Sequence, residues 1–135
     1  MAQANATYST KSWDRRPFGA PATELGAMQL GRIEMVHTYK GDIEAEGILQ
    51  YLIAYTKDGN GCFVGLEKVT GTIGGKSGSF VLQCTGTAEN ERLKQRLVIV
   101  PDSGTGELRG LRGQAEMECD LHMDEYPFTL EYEVE

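Results

Sequence analysis

Between Gly41 and Thr87 the chain reads GDIEAEGILQYLIAYTKDGNGCFVGLEKVTGTIGGKSGSFVLQCTGT, three extended runs separated by two glycine turns. The runs alternate with the period of strands, and helix-period patterning is nearly absent from the chain. Asp58-Gly59-Asn60-Gly61 and Gly74-Gly75 supply residues that tolerate positive φ, as tight hairpins demand. Taken as two-residue turns, they set Asp58 opposite Gly61 and Ile73 opposite Lys76. Leu52 then faces Glu67, Ala54 faces Gly65 and Glu46 faces Ile73. In the second hairpin Glu67 faces Leu82, Val69 faces Phe80 and Gly65 faces Cys84. One sheet face collects Glu46, Ile48, Gln50, Leu52, Ala54, Gly65, Glu67, Val69, Ile73, Phe80, Leu82 and Cys84, and is read as interior. The other collects Leu49, Tyr51, Ile53, Tyr55, Val64, Leu66, Lys68, Thr70, Val81 and Gln83. A slip of one residue would exchange the two sets.

The remaining segments extend the same pattern. Asn5 to Trp13 reads as a first strand and Asp14 to Gly26 as a long loop, because Pro17, Gly19, Pro21 and Gly26 forbid continuous pairing. That loop is a functional lid or a plug for one barrel end. Met28 to Thr38 is the second strand; if Thr38 faces Asp42, Glu34 lies beside Glu46 and Arg32 beside Ile48. Arg92 to Val100 is the sixth strand, with Leu93, Gln95, Leu97 and Ile99 inward. Thr105 to Leu121 is the seventh, with a bulge at Gly110-Leu111. The last carries Tyr126, Phe128, Leu130, Tyr132 and Val134 on its inner side. Eight strands in a meander close most economically as an all-β, antiparallel up-and-down barrel, one domain over residues 1–135.

Composition narrows the function classes. A formal net charge of −7 does not suit phosphate backbones or anionic membranes, so no nucleic-acid or membrane partner is expected. Arg92, Lys94 and Arg96 alternate on one strand and read as a solvated face. Three cysteines, Cys62, Cys84 and Cys119, follow no metal-like spacing. With no apolar leader or spanning segment, a reduced, cytoplasmic location is expected.

Three pieces carry a resemblance: KSWDRRP, GCFVGLEKVTGTIGGKSGSFVLQCTGT and VPDSGTGELRGLRGQ. Together they resemble an uncharacterised bacterial family of small proteins grouped with the allene oxide cyclase-like barrels, more distantly similar to dirigent proteins. The resemblance spans almost the whole chain and implies an eight-stranded antiparallel barrel. Known relatives of the wider superfamily guide cyclisation, isomerisation or radical coupling of apolar substrates inside the barrel and many are oligomers, while the close family brings no established activity. Members of the family tend to carry His where this chain has Cys84.

Glu67 is the candidate acid or base. It sits among Phe63, Val69 and Leu82, where burial disfavours the anion unless it is paired, and such a carboxyl can exchange protons near neutral pH. The alternative is a structural carboxylate bonded to Arg32 or to the Trp13 indole. Arg32, Glu34, Glu46, Gln50, Phe80, Cys84, Gln95 and Tyr132 are the candidate ligand-binding residues of the lumen, and Tyr8 could join them. Cys84 reads as an apolar filler, since a neighbouring carboxylate raises a thiol's pKa. His37 alternates outward and His122 lies in a turn, so no metal set forms. The glycines of SGTGELRGLRG lack the strand-to-helix setting of a phosphate cradle, and no cofactor is expected. Leu49, Tyr51, Ile53, Tyr55, Val64, Leu66 and Val81 would make an outer patch too apolar for a lone barrel, pointing to a homodimer or higher homo-oligomer. Two readings remain: a cyclase or isomerase with Glu67 as proton carrier, and a non-catalytic binding or accessory protein.

Overall fold

The computed structural model describes residues 1–17 and 29–135. They form strands β1 (Ala2–Pro17), β2 (Gln29–Gly41), β3 (Ile43–Tyr55), β4 (Gly61–Ile73), β5 (Lys76–Glu89), β6 (Arg92–Ile99), β7 (Leu111–Asp120) and β8 (Tyr126–Val134). Each strand pairs antiparallel with the next and β8 returns to β1, closing an eight-stranded barrel as the sequence predicts. Among the described residues no helix is long and apolar enough to cross a membrane.

Closure leaves no free edge, and alternation then sorts every strand into a lumen side and an outer side. Leu82, Leu97, Leu130 and Val69 are at most 2% exposed and fill the middle of the barrel. Full burial of such a side chain contributes about 1.5–3 kcal/mol. The β2–β3 and β4–β5 turns lie at one end, where a single 3-10 turn, Gly106–Leu108, buries Leu108. The β3–β4, β5–β6 and β7–β8 turns surround the opposite end, called the mouth below.

The β4–β5 register agrees with the sequence reading: Ile73 faces Lys76, Glu67 faces Leu82 and Gly65 faces Cys84. The β3–β4 register does not. Tyr55 pairs with Gly61, so five residues, Thr56 to Asn60, make the connection instead of two. Asn60 C=O accepts the Thr56 N–H at 2.8 Å, and Thr56 C=O accepts the Gly59 N–H at 3.0 Å. Gly61 is a strand residue, glycine because a Cβ there would crowd the β3 backbone, 2.8 Å from Tyr55 Cα. Leu49, not Leu52, therefore opposes Glu67. This odd shift turns β3 over: Leu49 and Tyr51 enter the core, while Ile48 and Leu52 are 60% and 44% exposed.

Strand β2 is longer than predicted. Tyr39, Lys40 and Gly41 stay in the ladder, with Tyr39 opposite Ala45 and Gly41 opposite Ala6. Glu34 consequently faces Gln50, and Arg32 faces Leu52. Strand β1 also outruns its expected end at Trp13, pairing through Pro17 with Gly31. Its register shifts between Thr10 and Ser12, leaving an extra residue that breaks the alternation. The rest of the predicted loop, residues 18–26, with its lid and plug readings, lies outside the described residues. The predicted bulge before β7 is the 3-10 turn followed by Gly110 at φ +82°. On the outside Arg92, Lys94 and Arg96 each face an acidic residue of β7: Asp120, Glu118 and Glu116.

Candidate functional site

Strand β4 turns Glu67 into the lumen between Gly65 and Val69, leaving it 1% exposed. Burying a carboxylate is costly unless it is hydrogen-bonded. The Tyr39 O–H of β2 supplies that bond, donating to Glu67 Oε2 at 2.5 Å. One turn of alternation away on β2, His37 brings its Nδ1 to 3.6 Å from the same oxygen, beyond a hydrogen bond. Room for the carboxylate comes from β3: a Cβ on Gly47 would stand 2.9 Å from the Glu67 carboxyl carbon and closer still to Oε2.

Strands β1, β6 and β7 complete the cluster. Tyr8 stacks on His37 with ring centroids 4.4 Å apart. Gln95 Nε2 donates to the Tyr8 hydroxyl at 3.3 Å and to Met117 Sδ at 3.2 Å. His37 and Gln95 are 4% and 5% exposed, and His37 Nδ1 and Gln95 Oε1 have no hydrogen-bond partner. Burial, and then the Glu67 charge, hold the Tyr8 and Tyr39 phenols well above the usual tyrosine range. Tyr51 is raised by burial first, then by Cys84 and Glu67. Burial and then Glu67 push the Cys84 thiol up to about 12, which leaves it a filler without thiolate character.

Above this cluster, toward the mouth, the lumen is not filled. A cavity of about 210 Å³ is bounded by Tyr8, His37 and Gln95 on its polar side and by Ile33, Ile53, Phe63 and Leu93 among its apolar walls. Tyr55, at its rim, carries Arg15 over its ring at 4.0 Å.

A family described as a protein of unknown function, DUF3224, matches residues 4–132. The chain belongs to this family. A crystal structure of a DUF3224 protein of unknown function from Shewanella oneidensis MR-1 is 30% identical to it, with a TM-score of 0.80. That match covers 100% of this chain and 98% of the Shewanella chain. No curated protein matches. The finer likeness to allene oxide cyclases rests on the sequence motifs alone.

Within this DUF3224 barrel the predicted residues divide into three groups. Glu67, Phe80, Cys84 and Gln95 point into the lumen, all at most 5% exposed. Gln95 lines the mouth cavity, whereas Glu67 sits one layer behind His37. Tyr132 also faces inward but at the other end, where its hydroxyl lies near Gly74. Arg32, Glu34, Glu46 and Gln50 are exposed on the outer surface, which corrects their assignment to the lumen. The cause is the misread β3–β4 connection: its odd shift turns β3 over and β2 with it, so the inner positions of both are odd-numbered, not even. Glu46 instead meets Lys11 at 3.6 Å, outside. Trp13 is 63% exposed and Arg32 points out, so neither bonds Glu67; Tyr39 does.

The residue missed from the sequence is His37. The signal was within β2 itself: Ile33, Met35, His37 and Tyr39 alternate with Arg32, Glu34, Thr38 and Lys40. Among the described residues no group of three or more His, Cys, Asp or Glu is placed to hold a metal ion.

Proposed function

We propose that this DUF3224 protein holds a small, largely apolar molecule in the mouth cavity and moves a proton on it, as a cyclase- or isomerase-type catalyst does. The observation that supports this is the order of groups running inward: cavity, His37, Glu67, Tyr39. His37 is the acid/base that meets the ligand. Glu67 acts through it, orienting the imidazole as a buried carboxylate does behind a catalytic histidine. The Tyr39 O–H holds the carboxylate in place. A proton taken from one ligand carbon by His37 and returned at another closes an isomerisation with no co-reactant. The apolar wall would contribute by positioning. This differs from the sequence reading, in which Glu67 itself touched the substrate.

The packed middle of the barrel favours the second reading, a non-catalytic binder. The cavity of about 210 Å³ occupies only one end and is smaller than the ~300–1,000 Å³ of common ligand pockets. Native mass spectrometry of freshly purified protein tests the binding common to both readings, with a bound small molecule that dissociates on denaturation as the expected result. Bare protein, together with unshifted NMR signals of cavity residues against a fragment set, rejects both. With a ligand in hand, Glu67→Gln separates them. A loss of conversion on the order of 10²-fold supports the catalyst; unchanged conversion leaves the binder.

A further inference from the structure

Resting on the reading of the mouth cavity as a ligand site, the lining narrows the chemistry of what enters. Among the described residues it contains no Lys, Arg, Asp or Glu. An ammonium would therefore lose its hydration without meeting a carboxylate at the wall. A carboxylate or phosphate would meet no cation among the described lining residues, Arg15 being held over the Tyr55 ring at the rim, and would approach the buried Glu67 in a chain of net charge −7. A neutral molecule escapes both penalties.

The floor asks for a hydrogen-bond donor. Gln95 Oε1 is buried and unpaired. A half-turn of the amide lets the Tyr8 O–H donate to that oxygen, but then the amide nitrogen loses its acceptor at Tyr8. With Glu67 Oε2 3.6 Å away, His37 Nδ1 is the nitrogen favoured to carry the ring proton. Nε2 is then the lone-pair acceptor. Tyr8 covers one ring face and Glu67 the Nδ1 edge, which leaves the Nε2 edge as the side of the ring open to the cavity. Gln95 Oε1 is covered by protein, so His37 Nε2 is the acceptor that stands at the floor of a mainly apolar space. Size sets the last limit. A dry cavity of about 150 Å³ holds one benzene, so about 210 Å³ accommodates one ring with a small substituent.

We propose that the mouth cavity is a site for a neutral, one-ring molecule carrying a hydroxyl group, of the phenol type, whose O–H donates to His37 Nε2 between apolar walls. Four probes of one shape test this on the full-length wild type by calorimetry and ligand-observed NMR: phenol, anisole, benzoate and benzylammonium. Phenol is expected to bind about tenfold more tightly than anisole, the worth of one buried hydrogen bond, and more tightly than either ion. In His37→Phe that advantage falls to about twofold or less. Anisole binding as tightly as phenol, or the advantage surviving in His37→Phe, overturns the donor inference while the cavity remains a ligand site. Tighter binding of either ion overturns the neutral class. If none of the four binds at millimolar concentration, the ligand-site reading itself falls.

Discussion

Replacing Gly47 with alanine probes the Glu67 site through a single methyl group. Gly47 faces the lumen opposite Val69 and beside His37. Its φ is not positive, so the backbone accepts alanine, and alanine in a strand interior would ordinarily stabilise by about 0.5–1 kcal/mol. Here the new Cβ would stand 2.9 Å from the Glu67 carboxyl carbon. The carboxylate can withdraw only by leaving the Tyr39 hydroxyl, which forfeits a hydrogen bond to a charged group, worth about 1.5–3 kcal/mol. Residual overpacking adds ~1 kcal/mol or more. A net cost near 3 kcal/mol follows. At roughly 2.1 cal/mol/K of unfolding entropy per residue, it lowers Tm by about 10 °C in a chain of 135 residues. The assay is calorimetric melting of wild type, Gly47→Ala, Glu67→Ala and the double variant. Without the carboxylate the methyl has space, so Gly47→Ala should be neutral or stabilising in the Glu67→Ala background. A fall under about 3 °C for Gly47→Ala alone, or the same cost in both backgrounds, refutes the reasoning.

The other predictions concern titration, thiols and assembly. Tyr8, Tyr39 and Tyr51 have phenol pKa values raised by folding, so below pH about 10 both states keep these protons and the contribution to stability is intact. As pH rises further the unfolded chain releases protons that the barrel retains, and stability falls by about 1.4 kcal/mol per pH unit for each tyrosine. Absorbance at 295 nm should therefore complete its rise only as far-UV circular dichroism is lost; full tyrosine ionisation in a folded barrel contradicts this. Cys84 and Cys119 are buried thiols with raised pKa and Cys62 is exposed, so Ellman's reagent at pH 8 should label one thiol per native chain and all three in denaturant. Fast native labelling of a second thiol would put Cys84 or Cys119 in the wrong place. The outer face of β3 and β4 presents Ile48, Leu52, Val64 and Leu66, each at least 44% exposed, and we propose that a second copy of the chain covers it. Light scattering should then find a dimer that Leu66→Glu converts to monomer; equal monomeric masses would discard the idea.

Much of the fold is legible in the sequence because most strands have one unmistakable side. Inner positions of β5, β6 and β8 are apolar or small, apart from Gln95, while their outer positions carry Gln83, Lys94, Arg96, Glu131 and Glu133. Gly74-Gly75 fixes the β4–β5 turn, so Glu67, Phe80 and Cys84 were placed inward from sequence. Strand β3 resists the same treatment because both its faces are apolar: Ile48 and Leu52 on one, Leu49, Tyr51 and Ile53 on the other. Only the turn could decide, and Asp58-Gly59-Asn60-Gly61 contains two glycines for different reasons. Gly59 has the positive φ of +82°, while Gly61 is needed for close approach to β3. Taking both as turn residues reversed β3, carried Glu46 and Gln50 inward, and drew Glu34 and Arg32 with them. His37 was lost by the same error, and with it the link between Glu67 and the cavity.

An unfilled, apolar-walled space lies directly above the His37–Glu67 pair. Diffraction from crystals of the full-length protein under xenon pressure tests it most directly, because xenon enters dry apolar cavities and marks them by anomalous scattering. A strong xenon site is expected between Ile33, Ile53, Phe63 and Leu93. Absence of that site, with side chains occupying the space over His37, would contradict it.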